Sequence, residues 1–193
     1  MSGIERSPER DAALAALMSA DPFPGWNATG LRQAAGEHAD LLFLGGAAEM
    51  VEASIDLADR RMEQAAEAID MTGWRTPERV RAVIALRFQQ NRPWKTAIGR
   101  ALAVLALPGR GLMAARATTR TVDAIWHAAR DQAADFSWYT KRATLAPVYA
   151  ATLLYWIADQ SGDDTAALAF LDRRLEQVAM IGKLRRRLFK KAA

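Results

Sequence analysis

"TGLRQAAGEHADLLFLGGAAEM" (Thr29–Met50) reads as a helix-turn-helix: a short helix, a glycine turn at Gly36, and a second short helix before Gly45 and Gly46. Small residues at Ala34, Ala35, Gly36 and Ala39 allow two helices to cross closely. Motifs of this kind read DNA, and affinity for DNA comes largely from cations that displace counterions from phosphates. Here the charge has the opposite sign. No Lys or Arg occurs from Gln33 to Asp59, whereas Glu37, Asp40, Glu49, Glu52, Asp56 and Asp59 all do. The stretch therefore sets an architecture and argues against the usual use of it.

Outward from this motif, apolar residues recur at spacings of three and four, with no alternating Val/Ile/Thr run bounded by turns, so the chain is expected to be all-α. "SPERDAALAALM" opens a helix with Ser7 as N-cap and Pro8 at its first position. "RTPERVRAVIALRFQ" repeats that logic at Thr76, Pro77 and Glu78. A further helix starts near Pro93 and is stopped by Pro108 and Gly109, and a long one runs from about Leu112 to Asp135. Another opens at Ser137 with Pro147 inside it, and a last one runs from about Thr165 to Met180. The expected organisation is a three-helix head over residues 8–46, a six-helix bundle over 47–180 and a basic tail over 181–193.

Composition narrows the chemistry. The 193 residues are 51% hydrophobic, enough for a substantial core, and contain no cysteine, which removes disulfides, thiolate nucleophiles and Cys-ligated metals. The start, interrupted by Glu5, Glu9 and Asp11, has neither signal-peptide nor transit-peptide character, and the expectation is a protein that stays where it is made. No apolar run reaches the roughly 18 to 20 residues of a membrane span. The net charge of +4 is uneven: "KLRRRLFKK" (Lys183–Lys191) holds six cations and no acid, which leaves the rest of the chain at a net −2. On this reading the basic character is a tail rather than a nucleic-acid-binding face.

The most individual stretch is "DAIWHAARDQAADFSWYTKRATLAPVYAATLLYW" (Asp123–Trp156). Its centre, "DQAADFSWYTKRATLAPVY", closely resembles the signature of the ninth protein of the coenzyme Q (ubiquinone) biosynthesis set. With gaps, the resemblance extends through Gly25 and Trp26, "AAEM" (Ala47–Met50), "ALPGRG" and "FLDRRLEQV". It implies a TetR-like fold and a non-catalytic accessory protein without cofactor or metal. That protein would bind a polyprenyl quinone or isoprenoid lipid in its bundle and present it to the demethoxyubiquinone hydroxylase. It also implies a cytoplasmic protein, peripheral at the inner membrane, because the presequence of eukaryotic relatives is not seen here. The alternative is a degenerate TetR-type regulator that binds a hydrophobic effector and acts on DNA. The missing cations separate the two.

The resemblance places partner contact at Trp138 and Tyr139, with Ile125 and Arg142 beside them. Adjacent helical positions diverge by about 100°, so the two rings cannot both point inward, and aromatic residues are enriched where partners bind. Phe88, Leu102, Leu105, Met113, Leu145, Val148 and Tyr155 have the spacing of a core, as do Ile84 and Leu107, and a lipid pocket among the first seven is what the resemblance implies. Asp123, His127, Asp131 and Asp135 stand four apart, but one helix face cannot wrap a metal, and surface pairs with Arg120 and Arg130 are expected instead. No Ser/His/Asp constellation or glycine-rich phosphate loop is present.

On a helix the tail places Ile181, Leu184, Leu188 and Phe189 on one arc and Lys183, Arg186, Arg187 and Lys190 opposite. Arg185 interrupts the apolar side, and Lys191 ends the basic run. Such a helix suits an anionic membrane surface, and the other reading is a solvated tail. TetR-like bundles pair through their last two helices, so "ATLLYWIA" and "TAALAFLDRRLEQVAMI" are expected to form a homodimer interface.

Overall fold

Local capping chemistry starts the head where the sequence places it. Ser7 Oγ accepts from the Arg10 amide at 3.2 Å and opens α1 (Pro8–Ser19). Asn27 Oδ1 accepts from the Gly30 amide at 2.8 Å and opens α2 (Ala28–Ala35), which Gly36 ends at φ 107°. The structure, a computed structural model, describes residues 3–131 and 136–191, with side chains for 3–131 and 139–180. Among these residues there is no strand, and the chain continues as α3 (Gly46–Glu67), α4 (Thr76–Asn91), α5 (Lys95–Leu105), α6 (Gly111–Ala128), α7 (Phe136–Ala158) and α8 (Thr165–Lys191). Helices α3 to α8 are the six of the bundle.

Three boundaries differ from the sequence expectation. The third helix of the head is a single 3-10 turn, Ala39–Leu42. Gly36 and Gly46, both at positive φ, leave too few residues between them to repay the cost of nucleating a helix. Helix α6 stops at Ala128, short of Asp135, where Arg130 takes a left-handed φ of 56°. Helix α8 does not break near Met180 but runs on to Lys191, because Gly182 alone costs only about 1 kcal/mol among good helix formers. The tail is thus the continuation of α8 and adds about 16 Å of helix beyond Met180. The side chains of residues 181–191, which carry the expected apolar and basic arcs, lie outside the described ones.

Two apolar clusters form the core. One gathers α1, α2, the 3-10 turn, the first half of α3 and α5 around Leu14, Leu17, Leu31, Phe43, Met50 and Val51. The other gathers α4, α6, α7 and α8 around Ile84, Phe88, Ile125, Leu145, Trp156 and Leu171. Ile98 on α5 packs against both. Two indoles fasten the head to the bundle: Trp26 Nε1 donates to the Ala97 carbonyl at 3.0 Å, and Trp94 Nε1 to Ser19 Oγ at 2.9 Å. Buried Arg10 organises the head from within. It donates to the Leu42 carbonyl, pairs with Glu49 at 2.6 Å and lies 4.1 Å over the Phe43 ring.

The acids that repel DNA in the sequence are largely occupied at home. Asp56 takes Arg6 at 2.7 Å and Arg60 at 2.9 Å, and Arg60 reaches on to Asp11 at 2.7 Å. Burial alone would raise the Asp56 carboxyl, but the hydrogen bonds from Arg6 and Arg60 hold it below the ordinary carboxylate range. These bridges cross from the N-terminal segment and α1 to α3 and fix the angle of the head.

Candidate functional site

Between the two apolar clusters lies a cavity of about 80 Å³, walled by Met18, Ile55, Phe88, Ile98, Leu102, Leu105 and Leu153. One side of it is polar. Arg87, Asn91, Thr121 and Tyr149 line it as well, each buried. Arg87 Nη1 stands 2.6 Å from Asp59 Oδ1, out of hydrogen-bond alignment, while Arg87 Nε donates to Tyr149 Oη at 2.9 Å. Thr121 Oγ1 donates to the other Asp59 oxygen at 3.2 Å. Side chains from α3, α4, α6 and α7 therefore meet in one network.

The electrostatics follow from burial. Burial pushes the Asp59 carboxyl above its ordinary value, against the opposing pull of Arg87. Burial alone would loosen the Arg87 proton, but Asp59 and Tyr149 more than restore it, so the guanidinium stays charged. Burial also raises the Tyr149 hydroxyl, which keeps its proton at neutral pH. Because Tyr149 Oη accepts from Arg87, that proton is left to donate elsewhere. The Asn91 carboxamide, 6% exposed, makes no hydrogen bond among the described residues. The cavity is apolar on most of its wall and presents two uncommitted donors on the rest.

Phe88, Leu102 and Leu105, three of the seven residues among which the resemblance implies a lipid pocket, line this cavity. Met113 is half-buried against the head cluster, Leu145 and Val148 are buried in the bundle core, and Tyr155 stacks on Phe170 at 4.8 Å with 39% exposure. None of these four lines it. Ile84 is fully buried, whereas Leu107 is exposed rather than part of the core. Arg87 and Asn91 were not singled out from the sequence. A signal existed: they are polar positions four apart in the apolar stripe of Val80, Val83, Ile84 and Phe88.

Of the residues tied to partner contact, Tyr139 is 69% exposed on α7, and the Trp138 side chain lies outside the described ones. Ile125 is wholly buried in the bundle core, on the inward face of α6, and cannot touch a partner in this conformation. Arg142 is half-buried and donates to Asp123. Among the described residues, the expected pairing of these acids with Arg120 and Arg130 is not formed. Asp123 takes Arg142, His127 meets Glu63 at 2.9 Å and Asp131 takes Lys141 at 2.7 Å, while Arg120 turns to Glu52 at 2.9 Å and Arg130 to the Ile69 carbonyl at 3.1 Å. Helix α6 is sandwiched between α3 and α7, so partners on neighbouring helices are nearer than those along its own face. Asp135 lies outside the described residues, and among those described no three side chains are placed to hold a metal.

With this geometry in place, similarity to known proteins adds the context. Residues 112–182 match the COQ9 family model. The chain is 35% identical over 108 residues to the ubiquinone biosynthesis protein COQ9, mitochondrial, of Rattus norvegicus, covering 56% of this chain and 35% of the rat protein. It is 34% identical over 108 residues to the Homo sapiens protein of the same name, covering 56% of this chain and 34% of that one. For the Schizosaccharomyces pombe protein the figures are 30% over 110 residues, 57% and 44%. The chain thus spans about a third of the length of the mammalian COQ9 proteins that it matches, and those relatives are mitochondrial by name. In fold it resembles the crystal structure of the TetR transcriptional regulator from Nitrosomonas europaea, with a TM-score of 0.71 and 22% identity over 90% of this chain and 99% of that one. The all-α, TetR-like architecture read from the sequence is borne out. The COQ9-matching region comprises nearly all of α6, the whole of α7 and α8 up to Gly182, so it contributes Thr121 and Tyr149 to the polar side of the cavity.

Removing Arg87 tests the network. Arg87→Leu leaves Asp59 without its cation, which costs about 3–5 kcal/mol where the carboxylate stays ionised. A carboxyl raised in the folded state favours folding at low pH, and that advantage is lost as pH rises through the raised value. The deficit of Arg87→Leu in urea midpoint is therefore expected to be small up to the raised value of Asp59 in the parent protein and to grow above it.

Proposed function

We propose that this protein is a non-catalytic, lipid-binding accessory protein of ubiquinone biosynthesis that takes a polyprenyl quinone precursor or related isoprenoid lipid into its bundle and presents it to the demethoxyubiquinone hydroxylase at a membrane surface. The observation that carries this reading is the cavity with apolar walls and the donors of Asn91 and Tyr149, in a chain whose residues 112–182 match COQ9. A quinone ring carries oxygen acceptors on an otherwise apolar body, and these two donors suit them. At about 80 Å³ the cavity is smaller than the roughly 150 Å³ that takes up a benzene ring and far below the about 300–1,000 Å³ of ligand pockets, so it must widen to admit a quinone. A chain-bearing lipid therefore parts α5 from α6 when it enters.

The alternative of a DNA-binding regulator is disfavoured by the head. Its recognition element is four residues long, and its Arg32 is committed to Asp40 at 2.8 Å. Tyr139, exposed at the start of α7, is assigned to the hydroxylase contact together with Trp138, and Ile125 supports that helix from beneath. Leu154, Tyr155 and Met180 are exposed apolar residues on α7 and α8, and a homodimer is proposed to cover them. No described helix is long and apolar enough to cross a membrane, and the tail of α8 is assigned to its anionic surface.

Mass spectrometry of lipids extracted from the purified protein is expected to find a polyprenyl quinone or isoprenoid. A lipid-free protein with salt-sensitive affinity for promoter DNA would overturn the reading in favour of the regulator. Tyr139→Lys and Trp138→Lys are expected to fold normally and to lose capture of the hydroxylase, and early melting of either variant would mark that ring as core. Light scattering is expected to return the dimer mass, with Leu154→Glu reducing it to the monomer.

A further inference from the structure

Cations are segregated in the body of the protein as strongly as in its tail. From Arg79 to Val122 the chain has nine Lys and Arg and no Asp or Glu. Most of these cations are spent inside the fold. Arg81 holds Asp172, Arg87 holds Asp59, Arg92 holds Asp164 and Arg120 holds Glu52, while Arg79 and Lys95 donate to backbone carbonyls. Arg100, Arg110 and Arg116 have no carboxylate partner among the described residues, and all three belong to the hairpin of α5 and α6. Arg110 donates to the Val104 carbonyl at 3.3 Å and fastens the turn, which Gly109 reverses at φ 82°.

The same turn carries two bare leucines, Leu107 at 49% and Leu112 at 63% exposure. Ala103, Ala106 and Ala115 around them are exposed as well, so the outer surface of the hairpin is leucine, alanine and arginine without an acid. Its inner surface is the cavity wall, formed by Leu102 and Leu105 of α5 and by Ala117 and Thr118 of α6. One turn of helix separates the two surfaces.

We propose that the α5–α6 hairpin docks on an anionic lipid bilayer, with Leu107 and Leu112 inserted among the acyl chains and Arg100, Arg110 and Arg116 on the phosphates. The occupant follows from the chemistry of the patch. Short apolar residues flanked by cations without carboxylate partners match the boundary between acyl chains and anionic headgroups. The arginine stems reach across apolar surface while their guanidinium groups stay at the phosphate level. The second part of the inference rests on the lipid-binding function proposed above: the hairpin is then the doorway by which a lipid passes between bilayer and cavity.

This contact is distinct from the tail. Arg81 meets Asp172 and Arg92 meets Asp164, so α8 runs antiparallel to α4, and Arg79 at the start of α4 reaches Ala129 at the end of α6. The tail of α8 accordingly leaves at the C-terminal end of α6. The hairpin sits at the N-terminal end, about 27 Å away along an 18-residue helix. Engaging both at once lays the bundle with its long axis along the membrane.

The absence of native cysteine makes a site-specific test simple. Leu112→Cys and, as a control at the far end of α3, Glu67→Cys are labelled with an environment-sensitive fluorophore in the full chain. They are then mixed with vesicles of phosphatidylcholine containing phosphatidylglycerol, or of phosphatidylcholine alone. The label at 112 is expected to shift to the blue with the anionic vesicles and the label at 67 to stay in water. Arg100→Gln and Arg116→Gln are each expected to weaken vesicle binding about fivefold, also in a chain ending at Gly182. A label at 112 that stays in water while the protein still floats with vesicles assigns the membrane contact to the tail alone and overturns the proposal. Binding by the arginine variants equal to that of the parent chain overturns it too, and leaves an acidic protein as the occupant of the patch. If the label shifts but the purified protein carries no lipid, the bilayer contact stands, and both the doorway and the lipid-carrier function fall.

Discussion

The buried pair of Asp59 and Arg87 is the constraint on which the bundle turns. A carboxylate and a guanidinium removed from water need neighbours, and Thr121 and Tyr149 supply one hydrogen bond to each from two further helices. Four helices are thereby held to one register by charge as well as by packing. The same network forms the polar side of the cavity, so the group that fixes the bundle also fixes where polar side chains face that cavity. Apolar packing alone, which is non-directional, would not have placed them.

The head has a helix-turn-helix outline without the cations that such an outline uses on DNA. Arg10 is buried under Leu42 and Phe43, and Arg32 is held by Asp40, so these cations of the head are turned inward or neutralised. What should be a recognition helix is one 3-10 turn between glycines at positive φ. The head is retained because it is half of a core. Trp26 and Trp94 tie it to α5 and α1, and removing it would uncover one side of the cavity at Met18.

Charge is distributed along the chain by function and not by average. A net of +4 conceals an acidic stretch from Gln33 to Asp59, an acid-free stretch from Arg79 to Val122 and the basic end of α8. Folding consumes the middle of this pattern: acids of α3 meet cations of α4 and α6. What is left over at the surface is the arginine and leucine of the α5–α6 hairpin. Only the leftover charge can act on a partner.

The sequence by itself determined the helical class, the order of head before bundle and most helix starts, because caps such as Ser7 and periodicity in apolar residues are local signals. It also carried the resemblance to COQ9, which rests on side-chain identity around Asp131–Tyr149 and needs no geometry. Helical spacing marked Phe88, Leu102 and Leu105 as buried positions, as it did Leu145 and Val148, and only the structure separates the first three, which line the cavity, from the last two, which are buried in the core. Periodicity gives the buried face of a helix and not what that face meets. The partners of Asp123, His127 and Asp131 were misjudged for the same reason, since proximity along one helix lost to proximity across two. Only the tertiary structure decided that Arg87 and Asn91 sit beside a cavity and that Ile125 is sealed from solvent. Each depends on which helix packs where, and that is fixed by contacts between residues far apart in the chain.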